Sequence, residues 1–390
     1  MTDPREDSGP ARVSGAEIVL DEVSKRFPGQ RTPAVDRLSL TIAAGEIVML
    51  VGPSGCGKTT SLKMINRLIE PTSGTISIDG EDVRRRDDDD LRRHIGYVIQ
   101  GGSLFPHMTV AKNIGIVPRL LGWDADRVRA RTAELLDLGG LDPGRYLDRY
   151  PRELSGGQQQ RVGVARGLAA DPPVLLMDEP FGAVDPITRQ RLQDELLSIQ
   201  GELRKTIVCV THDIDEAIKL GDRIVVLRES AVVAQYDTPA GVLSAPADDF
   251  VRDFVGSGST LKQLSLTRVD EVRMESWTTA RVGDDAAEAV VRAERAGHDS
   301  VVVLDARSHR PVGWPWLRQL RGQRRVPAYD AERLHTVNAT ATLGEALDTM
   351  LTASHGATVV TGERGQFLGI ITFADVTDHL RALEPGDAGG

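Results

Sequence analysis

The sequence predicts an α/β domain built on a mostly parallel sheet, followed by a smaller α+β tail made of two copies of one unit. Three observations predict this. From Ile18 to about Val255, short β-branched runs (Ile47–Val51, Val174–Met177, Thr206–Val210, Ile224–Leu227) alternate with amphipathic stretches. These runs lack polar alternation, as strands buried on both faces do. Next, Gly256-Ser257-Gly258-Ser259-Thr260 reads as a joint between units. Beyond the joint, the pairs Gly297/Gly356 and Gly313/Gly369 recur at spacings of 59 and 56 residues, and tandem copies of that size pack together to bury a shared face.

Length and charge narrow the classes. The 390 residues suffice for two or three domains, and 40% hydrophobic with 27% charged residues is globular composition. A net charge of −10 disfavours nucleic acid as a partner. Two cysteines, Cys56 and Cys209, cannot make a disulfide scaffold and suit a reducing compartment. The apolar runs are strand-sized, so anything that crosses a membrane is expected on another chain. The expected organisation is a disordered leader over 1–15, the α/β domain over 16–255, and a linker over 256–261. Repeat 1 then covers 262–326, repeat 2 covers 327–383, and 384–390 form a flexible tail.

Taken in order, the strand Ile47–Val51 runs into Gly52-Pro53-Ser54-Gly55-Cys56-Gly57-Lys58-Thr59, which fits G-x-x-x-x-G-K-[ST]. Glycines let backbone N–H groups converge on phosphate oxygens, and the following helix adds its N-terminal dipole. Lys58 is expected to reach the β- and γ-phosphates and Thr59 to ligate Mg2+. Cys56 reads as a small packing residue, with a reactive thiolate beside Lys58 as the alternative. The runs Arg84–Arg86 and Asp87–Asp90 read as a solvated loop.

Leu154-Ser155-Gly156-Gly157-Gln158 opens a helix through Arg161, Val164 and Leu168. Ser155 with Gln158 fits a capping box. Two glycines are not needed for capping, and they expose backbone N–H groups at a helix start, which is an anion site. One phosphate loop plus a second, separate anion site suggests one nucleotide shared between two copies. Val174–Met177 then ends in Asp178-Glu179, where open α/β sheets place ligands. Asp178 suits a hold on hydrated Mg2+, and Glu179 suits orienting or deprotonating a water for in-line attack on phosphorus.

These motifs give the first domain its resemblance: it is similar to the P-loop NTPase cassette of ABC transporters, with its helical subdomain, over about Ile18–Val255. The resemblance makes Leu154–Gln158 the family signature and Val174–Glu179 the Walker B strand. It implies that Gln100 contacts Mg2+ and the membrane partner, and that His212, after Ile207–Thr211, contacts the γ-phosphate. Gly182-Ala183-Val184-Asp185 resembles the D-loop, with Val184 where Leu is usual. Phe27 stands where the family stacks an aromatic on adenine, and Thr60 belongs to the nucleotide-binding set. By the same analogy two copies meet head to tail, each ATP lying between Lys58 of one and Ser155 of the other.

The segment Gln100–Val110, with Ile116-Val117-Pro118, Trp123 and Asp185–Arg189, is similar to importers of quaternary-ammonium osmoprotectants: glycine betaine, choline, carnitine or proline betaine. Gly101 and Gly102 depart from the bulkier residues usual there. The resemblance implies a homodimer on the cytoplasmic face of the membrane, transmembrane permease subunits, and an extracytoplasmic substrate-binding protein. With aromatics at 4% of this chain, an aromatic cage for the cation is expected on that separate protein.

The tail resembles a tandem pair of CBS domains. Gly369-Ile370-Ile371-Thr372-Phe373-Ala374-Asp375 fits the family's G-h-h-T-x-x-D, which implies that Thr372 and Asp375 hold an adenine nucleotide or cyclic di-AMP. Gly313-Trp314-Pro315-Trp316-Leu317 lacks that Thr and Asp, so one ligand site or none is expected, and a ligand-free dimerisation module is the alternative. Arg318, Arg321, Arg324 and Arg325 read as a solvated linker, or as a patch attracted to anionic lipid or phosphate. Three other readings stay open: an importer ATPase for another solute such as an amino acid, a non-transport ABC ATPase acting on nucleic acid, and a signalling protein run by its CBS pair.

Overall fold

The computed structural model describes residues 14–99, 104–182, 184–256, 262–353 and 355–383. Gln100, the neighbouring Gly101 and Gly102, and Ala183 therefore lie outside the described residues, as do most of the leader, the joint and the tail. Contacts divide the chain into two units, residues 1–242 with 246–255 and residues 243–245 with 256–390.

The first unit holds two sheets. One is antiparallel, in the order β2-β1-β4-β5: β1 (Ile18–Lys25), β2 (Val35–Ile42), β4 (Ser73–Ile78) and β5 (Glu81–Asp82). The other has six strands in the order β10-β9-β3-β8-β7-β6: β3 (Ile47–Val51), β6 (Ile95–Val98), β7 (Val174–Asp178), β8 (Thr206–Val210), β9 (Arg223–Leu227) and β10 (Val233–Asp237). All its pairs are parallel except β9 with β10. Every residue of β3, β7 and β8 is buried, the pattern read from their unbroken apolar runs. The register sets Leu50 and Asp178 both opposite Val210, so the carboxyl ends of these three adjacent strands finish level. All three nucleotide motifs leave the sheet there.

Between β6 and β7 the chain is helical: Val110–Ile114, Ile116–Leu120, Ala125–Leu138, Pro143–Tyr146 and Gly156–Leu168. The helix Ala125–Leu138 starts where Asp124 accepts from the Arg127 N–H, and it turns Val128, Leu135 and Leu136 inward. The fully buried Asn113 staples the preceding loop, accepting from the Phe105 N–H and donating to the carbonyls of Phe105, Met108 and Thr109.

The second unit repeats one pattern twice. Its sheets are β11 (Thr279–Arg281), β12 (Val302–Leu304), β13 (Pro311–Gly313) and β14 (Thr336–Asn338), β15 (Ala357–Thr361), β16 (Phe367–Thr372). Each has a parallel pair followed by an antiparallel pair. The helices Ala286–Arg295 and Leu343–Thr352 connect the parallel strands, each capped by a side chain, Asp285 or Thr342. The expected helix–strand–strand units thus gain a leading strand each, three residues long and too short to leave a period in the sequence. The copies interlock: Leu264, Val269 and Val272, expected in repeat 1, pack in the core of the second copy. Glu275 exchanges two backbone hydrogen bonds with Ile370 of β16.

Candidate functional site

The loop after β3 needs its glycines for two different reasons. At Gly52 and Gly57 the backbone is left-handed, with φ of 151° and 110°, and an added Cβ would fall 2.3 Å from the Leu227 carbonyl oxygen and 2.5 Å from that of Ala34. Pro53, Ser54 and Gly55 form the exposed tip, and Thr60 is half-buried on the helix behind it. No side chain caps that helix, Lys58–Ile65, so its first N–H groups face the loop, the arrangement that suits an anion. The buried Lys58 donates from Nζ to the Gly52 and Pro53 carbonyls at 2.7 and 2.9 Å. Cys56 is 1% exposed and packs in the core cluster, which favours the packing role over a reactive thiol.

At the neighbouring strand end, Thr59 Oγ1 donates to Asp178 Oδ1 at 2.8 Å. Two hard oxygens from two elements thus meet beside the phosphate loop, a donor set that fits Mg2+. Glu179 follows with φ of 45°, a left-handed turn rare for a residue with a Cβ, held by its N–H donating to the Val210 carbonyl at 2.9 Å. From the end of β8 comes His212, whose Nδ1 lies 3.3 Å from Glu179 Oε1. Residues distant in sequence therefore sit together as expected: loop, metal-suited pair, carboxylate and imidazole.

The turn carrying His212 has a buried base. Thr211 Oγ1 donates to Glu216 Oε2 at 3.1 Å, and the Asp213 N–H donates to Thr211 Oγ1. Burial, helped by the charges of Asp213 and Glu179, pushes the Glu216 carboxyl up to about 7, against the Thr211 hydrogen bond and Arg189. Sequence reasoning missed Glu216, since a Glu in an amphipathic helix reads as solvent-facing; the Thr five residues earlier was the available signal.

Ser155, Gly156, Gly157 and Gln158 open the helix Gly156–Leu168, and the capping box forms: Gln158 N donates to Ser155 Oγ at 3.3 Å and Ser155 N to Gln158 Oε1 at 3.0 Å. The glycines then divide the work. A Cβ on Gly157 would fall 2.5 Å from Thr188 Cγ2, whereas one on Gly156 would meet nothing within 4 Å. Packing within the chain accounts for Gly157 only.

Asp185 caps the helix Pro186–Leu203 by accepting from the Thr188 N–H at 3.1 Å, a bond that holds its carboxyl below the usual range. The half-buried Phe27 ring carries Lys25 Nζ 5.3 Å from its centre. In the second unit, Thr372 Oγ1 donates to Asp375 Oδ2 at 2.5 Å and accepts from the Asp375 N–H, so this pair caps its own helix. A cleft of about 720 Å³ is lined by Trp316, Arg318, Tyr329, Arg333, His335 and others. Where the first copy lacks Thr and Asp, Trp314 and Trp316 instead stack on His355 of the second copy, at 4.1 and 4.3 Å between ring centres. Of the basic cluster, Arg321 pairs with Glu294 at 2.6 Å and Arg325 donates to the Gly283 carbonyl.

Comparison with known proteins follows the same division. A family model described as ABC transporter matches residues 35–182, and one described as CBS domain matches residues 329–382. The chain is 44% identical over 371 residues to the osmoprotectant import ATP-binding protein OsmV of Salmonella typhimurium, covering 93% of this chain and 96% of the relative. It is 44% identical over 366 residues to the glycine betaine/carnitine/choline transport ATP-binding protein OpuCA of Bacillus subtilis, covering 93% and 95%. To the choline transport ATP-binding protein OpuBA of Bacillus subtilis it is 50% identical over 290 residues, covering 74% and 75%. Among solved structures, a bacterial ABC transporter cassette described as dimeric superposes with a TM-score of 0.52 at 37% identity, over 57% of this chain and 98% of that one.

Proposed function

The chain belongs to the ATP-binding subunits of ABC transporters, and from that premise we propose that it hydrolyses ATP to drive import of a quaternary-ammonium osmoprotectant through separate membrane subunits. The observation that carries the ATPase is the level finish of β3, β7 and β8, which brings Lys58, Thr59, Asp178, Glu179 and His212 to one place. The phosphate loop and Lys58 bind the triphosphate, and Glu179 orients or deprotonates the attacking water, with His212 beside it for the γ-phosphate. Mg2+, held by Thr59 and Asp178, would neutralise charge on the β- and γ-phosphates. Gln100 joins this set by resemblance.

The open space over Gly156, with Ile187 left 70% exposed two residues after Asp185, supports a second copy closing over the nucleotide. Ser155, Gly156, Gly157 and Asp185 then complete the partner's site, and Phe27 stacks on adenine. No helix among the described residues is long and apolar enough to cross a membrane. By its likeness to importer ATP-binding proteins, the subunit's proposed place is peripheral, on the cytoplasmic face, against permease subunits fed by an extracytoplasmic binding protein. The cargo class is supported by relatives that carry glycine betaine, carnitine or choline in their names. For the second unit the proposed role is regulatory, with an adenine nucleotide or cyclic di-AMP as ligand; the 720 Å³ cleft with its arginines and Trp316 suits a planar anion.

Co-purification with the membrane and binding subunits, followed by uptake of labelled betaine, choline and amino acids, tests the cargo. ATP-dependent betaine or choline uptake is expected. Uptake of amino acids alone would transfer the chain to another importer class.

A further inference from the structure

The turn that carries His212 is tied to the segment after Glu179 by one side chain. Arg189, in the first turn of the helix Pro186–Leu203, donates from Nη2 to the Val184 carbonyl at 3.2 Å, and its Nη1 lies 3.6 Å from Asp213 Oδ2. Asp213 is held at both its carboxylate and its backbone N–H. Its Oδ1 accepts from the Asp215 and Glu216 N–H groups, and its own N–H donates to Thr211 Oγ1. Val184 is similarly placed: its N–H donates to the Phe181 carbonyl, and the Gly182 N–H donates to the Glu179 carbonyl. One guanidinium thus spans two short backbone segments, one leading from Glu179 and the other containing His212.

We propose that Arg189 is a positioning residue for hydrolysis, holding the His212 turn in register with Glu179 through Asp213 and Val184. It touches neither the phosphate loop nor the metal-suited pair, so its effect falls on the chemical step and not on nucleotide binding. Both side chains of the pair are about one-third exposed, and ion pairs so placed contribute little to stability. Its usefulness lies in geometry: misplacement of a reacting group by about 1 Å can cost up to about 100-fold in rate. The proposal rests on the ATPase reading above.

The test uses the full-length protein in four forms: wild type, Arg189→Met, Asp213→Asn and the double variant, with Arg189→Lys as the conservative replacement. Asn at 213 keeps the oxygen that caps the helix and removes the charge facing Arg189. Melting temperature and ATP binding are measured beside steady-state kinetics. The expected result is a fall in kcat of about 10-fold for Arg189→Met, with KM for ATP and melting temperature little changed. Arg189→Lys should recover part of the loss, and the double variant should be no worse than the worse single one. Unchanged kcat in Arg189→Met, or additive losses in the double variant, would overturn the assignment, as would a loss of kcat matched by loss of melting temperature. Lys58→Ala is the control: if it retains turnover, the ATPase reading itself fails, independently of Arg189.

Discussion

Thr59 Oγ1 donates to Asp178 Oδ1 across 2.8 Å, joining the first turn after β3 to the last residue of β7, two positions 119 residues apart in sequence. The hydroxyl belongs to the phosphate loop and the carboxylate to the strand that also delivers Glu179. Whatever fixes this pair fixes the nucleophile side of the site relative to the phosphate side.

Replacing the hydroxyl by a methyl of the same shape isolates that link. Thr59→Val is expected to lower ATP turnover by about 100-fold and to raise the Mg2+ concentration needed for half-maximal rate. A magnesium titration of ATP hydrolysis checks this. An unchanged midpoint would remove Thr59 from the metal set.

The two signature glycines should separate stability from activity. Gly157→Ala places a methyl against Thr188 and is expected to cost about 1–3 kcal/mol, recovered in part by Thr188→Ser. Gly156→Ala meets open space, so melting should hold or rise, since alanine favours a helix by about 1 kcal/mol over glycine. Turnover should nevertheless fall, because the methyl stands where a partner's nucleotide approaches. Full turnover in Gly156→Ala would argue against a shared site.

That contrast shows how far the sequence could be read. The unbroken apolar runs of β3, β7 and β8 announced a doubly covered parallel sheet, and each motif was legible because it directly followed or opened such an element. At Ser155 the sequence offers both a cap and an anion site, and the structure shows a formed capping box and, at Gly156, open space beside it. What sequence could not give is long-range pairing. Asn113, Arg189 and Glu216 are ordinary polar letters in helices, and their roles exist only because a loop or turn from elsewhere lies against them. The short strands β11 and β14 were hidden for a related reason: three residues carry no period.

Glu216 sets a pH dependence whose sign follows from its raised carboxyl. Between its ordinary value of 4.5 and about 7 the folded chain keeps a proton that the unfolded chain has released, so stability falls as pH rises through that window and is level above it. Glu216→Gln should remove this slope, making the variant relatively more stable than wild type at pH 8 than at pH 4.5, by up to roughly 3 kcal/mol. Paired melting curves across the window decide it. A pH-independent difference between the two proteins would show that Glu216 stays ionised.

An ion pair with one fully buried partner offers a test of the sheet's support. Lys205, 1% exposed just before β8, places Nζ 2.7 Å from Asp171 Oδ1. Asp171→Asn keeps the left-handed turn at φ of 54° but removes the counter-charge, and is expected to cost about 3–5 kcal/mol. Adding Lys205→Met should return much of it. A denaturation midpoint unmoved by Asp171→Asn would mean that water or another group serves Lys205.

One mass measurement bears most directly on the shared nucleotide. Glu179→Gln, which should bind ATP without cleaving it, is examined by light scattering in saturating Mg-ATP, alone and combined with Gly156→Asp. The expected outcome is a two-chain particle for the single variant and a one-chain particle for the double variant, each retaining bound ATP. A single chain holding ATP in the first case, or an undisturbed pair in the second, would contradict a site built from Lys58 of one copy and the Ser155–Gly156 helix tip of the other.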